Sequence, residues 1–203
     1  MTAEVDICNL ALSHLGDTAT VASIAPPEGS AQAQHCAVFY PIARNTLLEA
    51  HDWSFATVRV ASPAKLHEDY FGWRYAYMRP ADAIRIISVT HARGANADQS
   101  DVPYVQESDV DGKSIILCND DDVVVKYIRL ETNVSKYPPM FIQALSWHLA
   151  AMLAGPMIKG DAGAAQAKQC MMMAQSCLEM ATVSDSHQQN HKPEQVVAWM
   201  KDR

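Results

Sequence analysis

The stretch "LLEAHDWSFATVRV", Leu47 to Val60, begins with helical spacing and ends with strand spacing. Upstream, Ala33, Cys36, Tyr40, Ala43 and Leu47 recur at intervals of three and four, which predicts one narrow apolar stripe on a helix running to about Ala50. From Trp53 the pattern becomes an alternation, with Trp53 and Phe55 on one side of a first strand and Ser54 and Ala56 on the other. Between them stands His51-Asp52, an ionisable pair beside two large aromatics. A catalytic reading needs partners for that pair, and the sequence nominates none. A joint reading accounts for each residue: Leu47 and Leu48 close the helix face, a charged His51 suits a helix C-terminus, and Trp53 and Phe55 wedge between helices and sheet. His51, Trp53 and Phe55 are therefore expected to form a joint.

Working outward, Thr2 is placed to cap a first helix carrying Val5, Cys8, Leu12 and Leu15, with Gly16 as its stop. Ser30 is placed to cap the second. After the joint come "RYAYMRP", "AIRIISVT", "VPYVQ", "SIILC" and "VVVKYIRL". These are short, rich in β-branched and aromatic residues, and parted by Pro, Gly, Asn or Asp. "DVDGKS" and "CNDDDV" read as hairpin turns. Helix returns at "YPPM", with Pro138 and Pro139 suited to a first turn. "GPMIKGDAG" reads as the break before a last helix with Ala167, Cys170, Ala174, Cys177 and Ala181 on one face. "VSDSHQQNHKPEQVVAWMKDR" is polar until "VVAWM". The expectation is an α+β chain, mainly helical: a four-helix bundle from residues 1–52 and 132–184, an antiparallel β domain of 53–131 inserted between helices two and three, and an extended tail of 185–203.

Composition narrows the function classes. The chain has 203 residues, of which 49% are hydrophobic and 19% charged, and a net charge of −7. Without a long basic run it is not expected to grip duplex DNA. Five cysteines, with no C-x-x-C, argue against a disulfide framework or a thiolate zinc site. The first residues lack a basic n-region, so no signal peptide is expected. "FIQALSWHLAAMLAGPMI" is interrupted by Gln143, His148, Gly155 and Pro156, which favours a buried helix over a membrane span.

The chemical motifs are incomplete. "ESDVDGKSIILC" starts like a calcium loop with Glu107, Asp109, Asp111 and Gly112, but Cys118 stands where a bidentate Glu is needed. Gly112-Lys113-Ser114 lacks the earlier glycine of a phosphate loop, where Glu107 stands. Asn119 to Asp122 reads as a solvated turn before a metal site. His187 and His191 are four apart, but in a polar, poorly helical setting. The methionines of "CMMMAQSCLEM" suit core packing better than Cu(I). His148 reads as a hydrogen-bonded core histidine. No cofactor, metal or catalytic residue is expected.

The order and spacing of "EVDICNLALSHLGD", "AQAQHCAVFYPIARNTLLEAHDWSFATVRV", "YAYMRPADAIRI", "YPPMFIQALSWHLAAMLA" and "KGDAGAAQAKQCMMMAQ" resemble the head-to-tail adaptor family of short-tailed bacteriophages, the tail tubular protein A family. The resemblance covers nearly the whole chain. It implies a structural virion protein, not an enzyme. Twelve copies would form a ring at the head-tail junction, made and assembled in the bacterial cytoplasm. Its partners would be the portal protein above and the nozzle, tail tubular protein B, below. Double-stranded DNA would pass through its lumen without specific binding, and no membrane partner is implied. The tail would grip the portal through Val196, Val197, Trp199, Met200 and Arg203. Two other readings stand beside it: a different phage neck or stopper connector, and a small metal-binding domain or enzyme.

Overall fold

The computed structural model describes residues 3–92 and 101–188. The chain is α+β, and its described residues hold four α-helices and two antiparallel sheets. Helix α1 (Glu4–His14) starts where the Ala3 N–H donates to the Asp6 carboxylate at 2.7 Å. The expected cap, Thr2, lies outside the described residues. Gly16 follows the end of α1 at φ +76°, a conformation that favours glycine, and so stops the helix as expected. Helix α2 (Ala31–Ala50) is capped by Ser30, whose hydroxyl accepts from the Ala33 N–H at 3.1 Å. Its stripe from Ala33 to Leu47 is buried at every expected position.

Seven strands follow: β1 (Thr57–Ala61), β2 (Lys65–Tyr70), β3 (Trp73–Met78), β4 (Ala83–His91), β5 (Tyr104–Ser108), β6 (Ser114–Cys118) and β7 (Val123–Arg129). They form a sheet of order β1-β7-β4 and another of order β2-β3-β6-β5. Strand period two places alternate residues of β7 in different environments. Tyr127 packs with Ile86, Tyr77, Ile116 and Cys118 between the sheets, whereas Ile128 joins the core of the helices. Ala76, Ile115 and Leu117 form a third, smaller cluster with Leu66, Tyr70 and Trp73.

Two turn expectations part company here. "DVDGKS" is a hairpin turn between β5 and β6: the Asp109 N–H donates to Lys113 O at 2.8 Å, and Gly112 takes φ +76°. "CNDDDV" is not a hairpin, because β6 and β7 belong to different sheets. Its polar groups hold that crossing in place. Asn119 Oδ1 accepts from the Arg74 N–H, Lys65 Nζ donates to Asp121 at 2.7 Å, Ser62 pairs with Asp122, and the Asp120 carbonyl accepts from Tyr77 Oη.

Helix α3 (Pro139–Ile158) begins with Pro138 as cap and Pro139 as first residue. It runs through Gly155 and Pro156, where a break was expected. A proline in the last turns removes one N–H without forbidding helical dihedrals. The break falls instead at Lys159, with φ +61° and ψ 159°, and α4 (Gly160–Ser186) follows at once. A Cβ on Gly163 would stand 3.1 Å from the Ala154 carbonyl, so glycine lets α4 pack tightly back on α3. By length and hydropathy α3 could cross a membrane, but half of that window is buried within the fold. His148 is half-buried and has no protein hydrogen bond among the described residues, unlike the core histidine expected. Ser146 Oγ donates to Gln143 O and stands 3.1 Å from His14 Nε2, while the His14 ring stacks on Trp147 at 3.6 Å.

The link from β7 to α3 is organised by Glu131, which is 4% exposed. Burial raises its carboxyl pKa, but Lys136 Nζ at 2.7 Å, the Asn133 N–H at 3.0 Å and Arg129 at 2.5 Å outweigh that and bring it to about 2. Burial pushes the imidazoles of His14 and His148 below their usual range. All three groups hold their protons more weakly when folded, so each favours folding above its unfolded pKa and loses that advantage as pH falls. Denaturant unfolding against pH is expected to show stability declining from about pH 6.5 through the histidines. A second loss, on the order of 2–3 kcal/mol, follows between about pH 4.5 and 2 through Glu131. Glu131→Gln should remove the second loss and leave the first.

Candidate functional site

The region that joins α2 to β1 gathers an interlocked group of side chains. Trp53 is fully buried and its Nε1–H donates to Leu47 O at 2.7 Å. That carbonyl lies in the last turn of α2, where no helical N–H remains to reach it. The backbone after Trp53 is a single 3-10 turn, Ser54–Ala56, and β1 begins only at Thr57. The expected alternation of Trp53 and Phe55 on a strand is therefore wrong in backbone. A turn of roughly three residues per repeat does not send i and i+2 to the same side by pleating. The two rings nonetheless meet, at 5.8 Å between centroids. Phe141 of α3 packs edge-on against both, at 5.0 Å from Trp53 and 5.1 Å from Phe55, and Tyr137 closes the group at 5.0 Å from Phe141. Tyr137 Oη donates to Glu131 O at 2.6 Å, and burial pushes its hydroxyl up to about 12.

A residue that sequence reasoning missed stands at the centre of the joint. Asp185, in the last turn of α4, is 2% exposed. Its carboxylate accepts from the Ser54 N–H at 3.1 and 3.2 Å and from Ser54 Oγ at 2.5 Å. His51 Nε2 lies 3.5 Å from its Oδ2, an ion-pair distance for a protonated ring, without hydrogen-bond geometry. The His51 ring meets Trp53 edge-on at 4.8 Å. On the outer side, Asp52 pairs with Arg85 of β4. The available signal was the period: Asp185 extends the series Cys170, Ala174, Cys177, Ala181 by four. Assigning residue 185 to the polar tail hid it, and α4 in fact continues to Ser186.

Serine, histidine and aspartate thus meet, but not in a catalytic order. Ser54 Oγ donates to the carboxylate rather than to the imidazole, and a neighbouring anion disfavours an alkoxide. The arrangement binds backbone. Elsewhere, two shallow open hollows share Arg79 and Ser114, with Glu107 and Lys113 at their margins. Among the described residues no three His, Cys, Asp or Glu side chains are placed to hold a metal ion. The calcium-like segment is the β5–β6 turn, and its Asp109 carboxylate accepts from the Asp111 N–H. All five cysteines are free and buried, whereas Met171, Met172, Met173 and Met180 are exposed, against the expectation that they fill the core. His187 follows α4, whereas His191, Val196, Val197, Trp199, Met200 and Arg203 lie outside the described residues.

Trp53→Ala is expected to lower unfolding free energy by about 3–5 kcal/mol, from lost ring contacts and the cavity left behind. Asp185→Ala, which strands the Ser54 N–H, is expected to cost about 1–3 kcal/mol. Because both act on one joint, the double variant should cost less than the sum, a non-additivity that a double-mutant cycle reads directly. No family model matches the chain, and no curated protein does.

Proposed function

We propose that this protein is a structural ring subunit, a head-to-tail adaptor between the portal and the tail nozzle of a short-tailed phage, and not a catalyst. In this reading α1 to α4 form one bundle, and the strands form a domain inserted between α2 and α3. The observation that carries the proposal is the joint. Its aromatic and carboxylate groups are spent on holding the helices to the start of the strands, as a load-transmitting subunit requires. The motif order quoted above supplies the kind of assembly. The acidic balance supports a channel wall, since a lumen with few cations repels phosphate and lets DNA slide. In this reading twelve copies line the channel in the virion. The "VVAWM" segment, Val196 to Met200, supplies an apolar anchor beyond a polar stretch, with Trp199 as its hot spot on the portal.

Negative-stain images of the protein mixed with its portal test the reading; rings stacked on portal are expected. The protein alone should sediment mainly as a monomer. Deleting residues 195–203 should leave the melting temperature unchanged and abolish capture by immobilised portal. Undiminished capture after the deletion would remove the tail from the docking role.

A further inference from the structure

Two helices carry a second apolar stripe that the fold does not bury. On α2 the outward face runs Ala31, His35, Val38, Ile42, Asn45, Glu49, at intervals of four, three, four, three and four, opposite the buried stripe. Val38 is 58% and Ile42 49% exposed. Helix α4 is 27 residues, about 40 Å long, and packs on α3 through the single line Gly163, Cys170, Ala174, Cys177, Ala181. Its outward face carries Lys168, Met172, Ser176, Met180 and Val183, of which Met172 is 58%, Met180 49% and Val183 56% exposed.

With Glu49 and Lys168 paired, the two stripes are complementary in one direction only. Laid antiparallel with Glu49 beside Lys168, Asn45 falls by Met172, Ile42 by the small Ser176, Val38 by Met180, and His35 by Val183. Each element then presents about four turns to the other. Laid parallel with the same charges paired, α4 offers its first turns to the end of α2, and Met172, Met180 and Val183 find no partner. Neither Lys168 nor Glu49 has an ion-pair partner among the described residues. Flexible methionines also suit a surface that must adapt to branched neighbours.

We infer that α4 of one copy of this chain lies antiparallel on α2 of the next, through Met172, Met180 and Val183 against Val38 and Ile42, with Lys168 paired to Glu49. The contact is heterologous, so each copy keeps one stripe free for a further neighbour, which is the geometry a closed ring needs. The inference rests on the ring reading above and supplies its subunit contact.

Cross-linking tests it in the full chain. Val38→Cys and Met180→Cys are surface changes, and the five native thiols are buried. The two variants, mixed and oxidised with diamide, are expected to give a disulfide-linked heterodimer. Each variant alone should stay monomeric on non-reducing gels. Failure of the mixture to cross-link overturns the contact, as does efficient cross-linking of Met180→Cys to itself, which would mark a two-fold pairing of α4. Lys168→Glu in the Met180→Cys chain should lower the yield roughly two- to fivefold, and Glu49→Lys in the partner should restore it. Images with portal separate the two ideas. Rings without the cross-link sink the contact alone, and the cross-link without rings sinks the ring alone.

Discussion

A buried carboxylate must be satisfied, and in this chain the requirement falls on Asp185. Its oxygens receive the Ser54 N–H and hydroxyl, 131 positions away in sequence. Leaving such a charge unpaired costs several kcal/mol, far more than a surface contact can offset. The last turn of α4 is therefore held against the first turn after α2. Because α3 and α4 are joined by Lys159 alone, placing one end of α4 constrains α3 as well. Phe141 of α3 then meets Trp53 and Phe55. One hydrogen-bonded carboxylate and one aromatic cluster thus fix the same junction from two sides.

The sheets inherit their position from that junction. β1 leaves it directly and pairs with β7, which lies between β1 and β4 as the central strand of its sheet. Its alternation then distributes apolar side chains between helices and second sheet, with Ile128 on one side and Tyr127 on the other. At the end of β7 the chain turns back to α3 around Glu131, whose three donors come from both sides of the bend: Arg129 before it, Asn133 and Lys136 after it. The exit from the strands is thus built like the entry, as a buried carboxylate that gathers neighbouring donors.

Much of this was legible in the sequence, and the reasons differ by element. The stripe of α2 is a local pattern, set by helical period, and it reads true at each position. Five of the β segments read true for the same reason, since β-branched and aromatic residues fit a half-buried pleat. β2 did not, because "KLHEDY" is an edge strand with mostly polar, exposed residues and leaves no apolar alternation to detect. "CNDDDV" carries good hairpin residues, but whether a turn reverses within a sheet or crosses between sheets depends on partners far away. Pro156 sits in the last turns of α3, where a proline does not break the helix. Asp185 was lost for a deeper reason: composition assigns a polar residue to a tail, while burial depends on Ser54, which no local window contains.

The exposed methionines give α4 an outer face unlike its inner one. Against α3, α4 uses Gly163, Cys170, Ala174, Cys177 and Ala181, small side chains that let backbones approach and hold one register. On its outer side it uses Met172 and Met180, long side chains with several rotatable bonds. Small-residue packing is intolerant of displacement, because any added atom meets backbone, as the 3.1 Å approach at Gly163 makes plain. Thioether side chains tolerate displacement, because they can repack at small cost. A helix that is rigid inward and adaptable outward keeps its own fold fixed while its neighbour's position varies. On the proposed ring reading that division of labour is useful, since a contact between copies would form reversibly, adjust during closure, and leave the joint around Asp185 undisturbed.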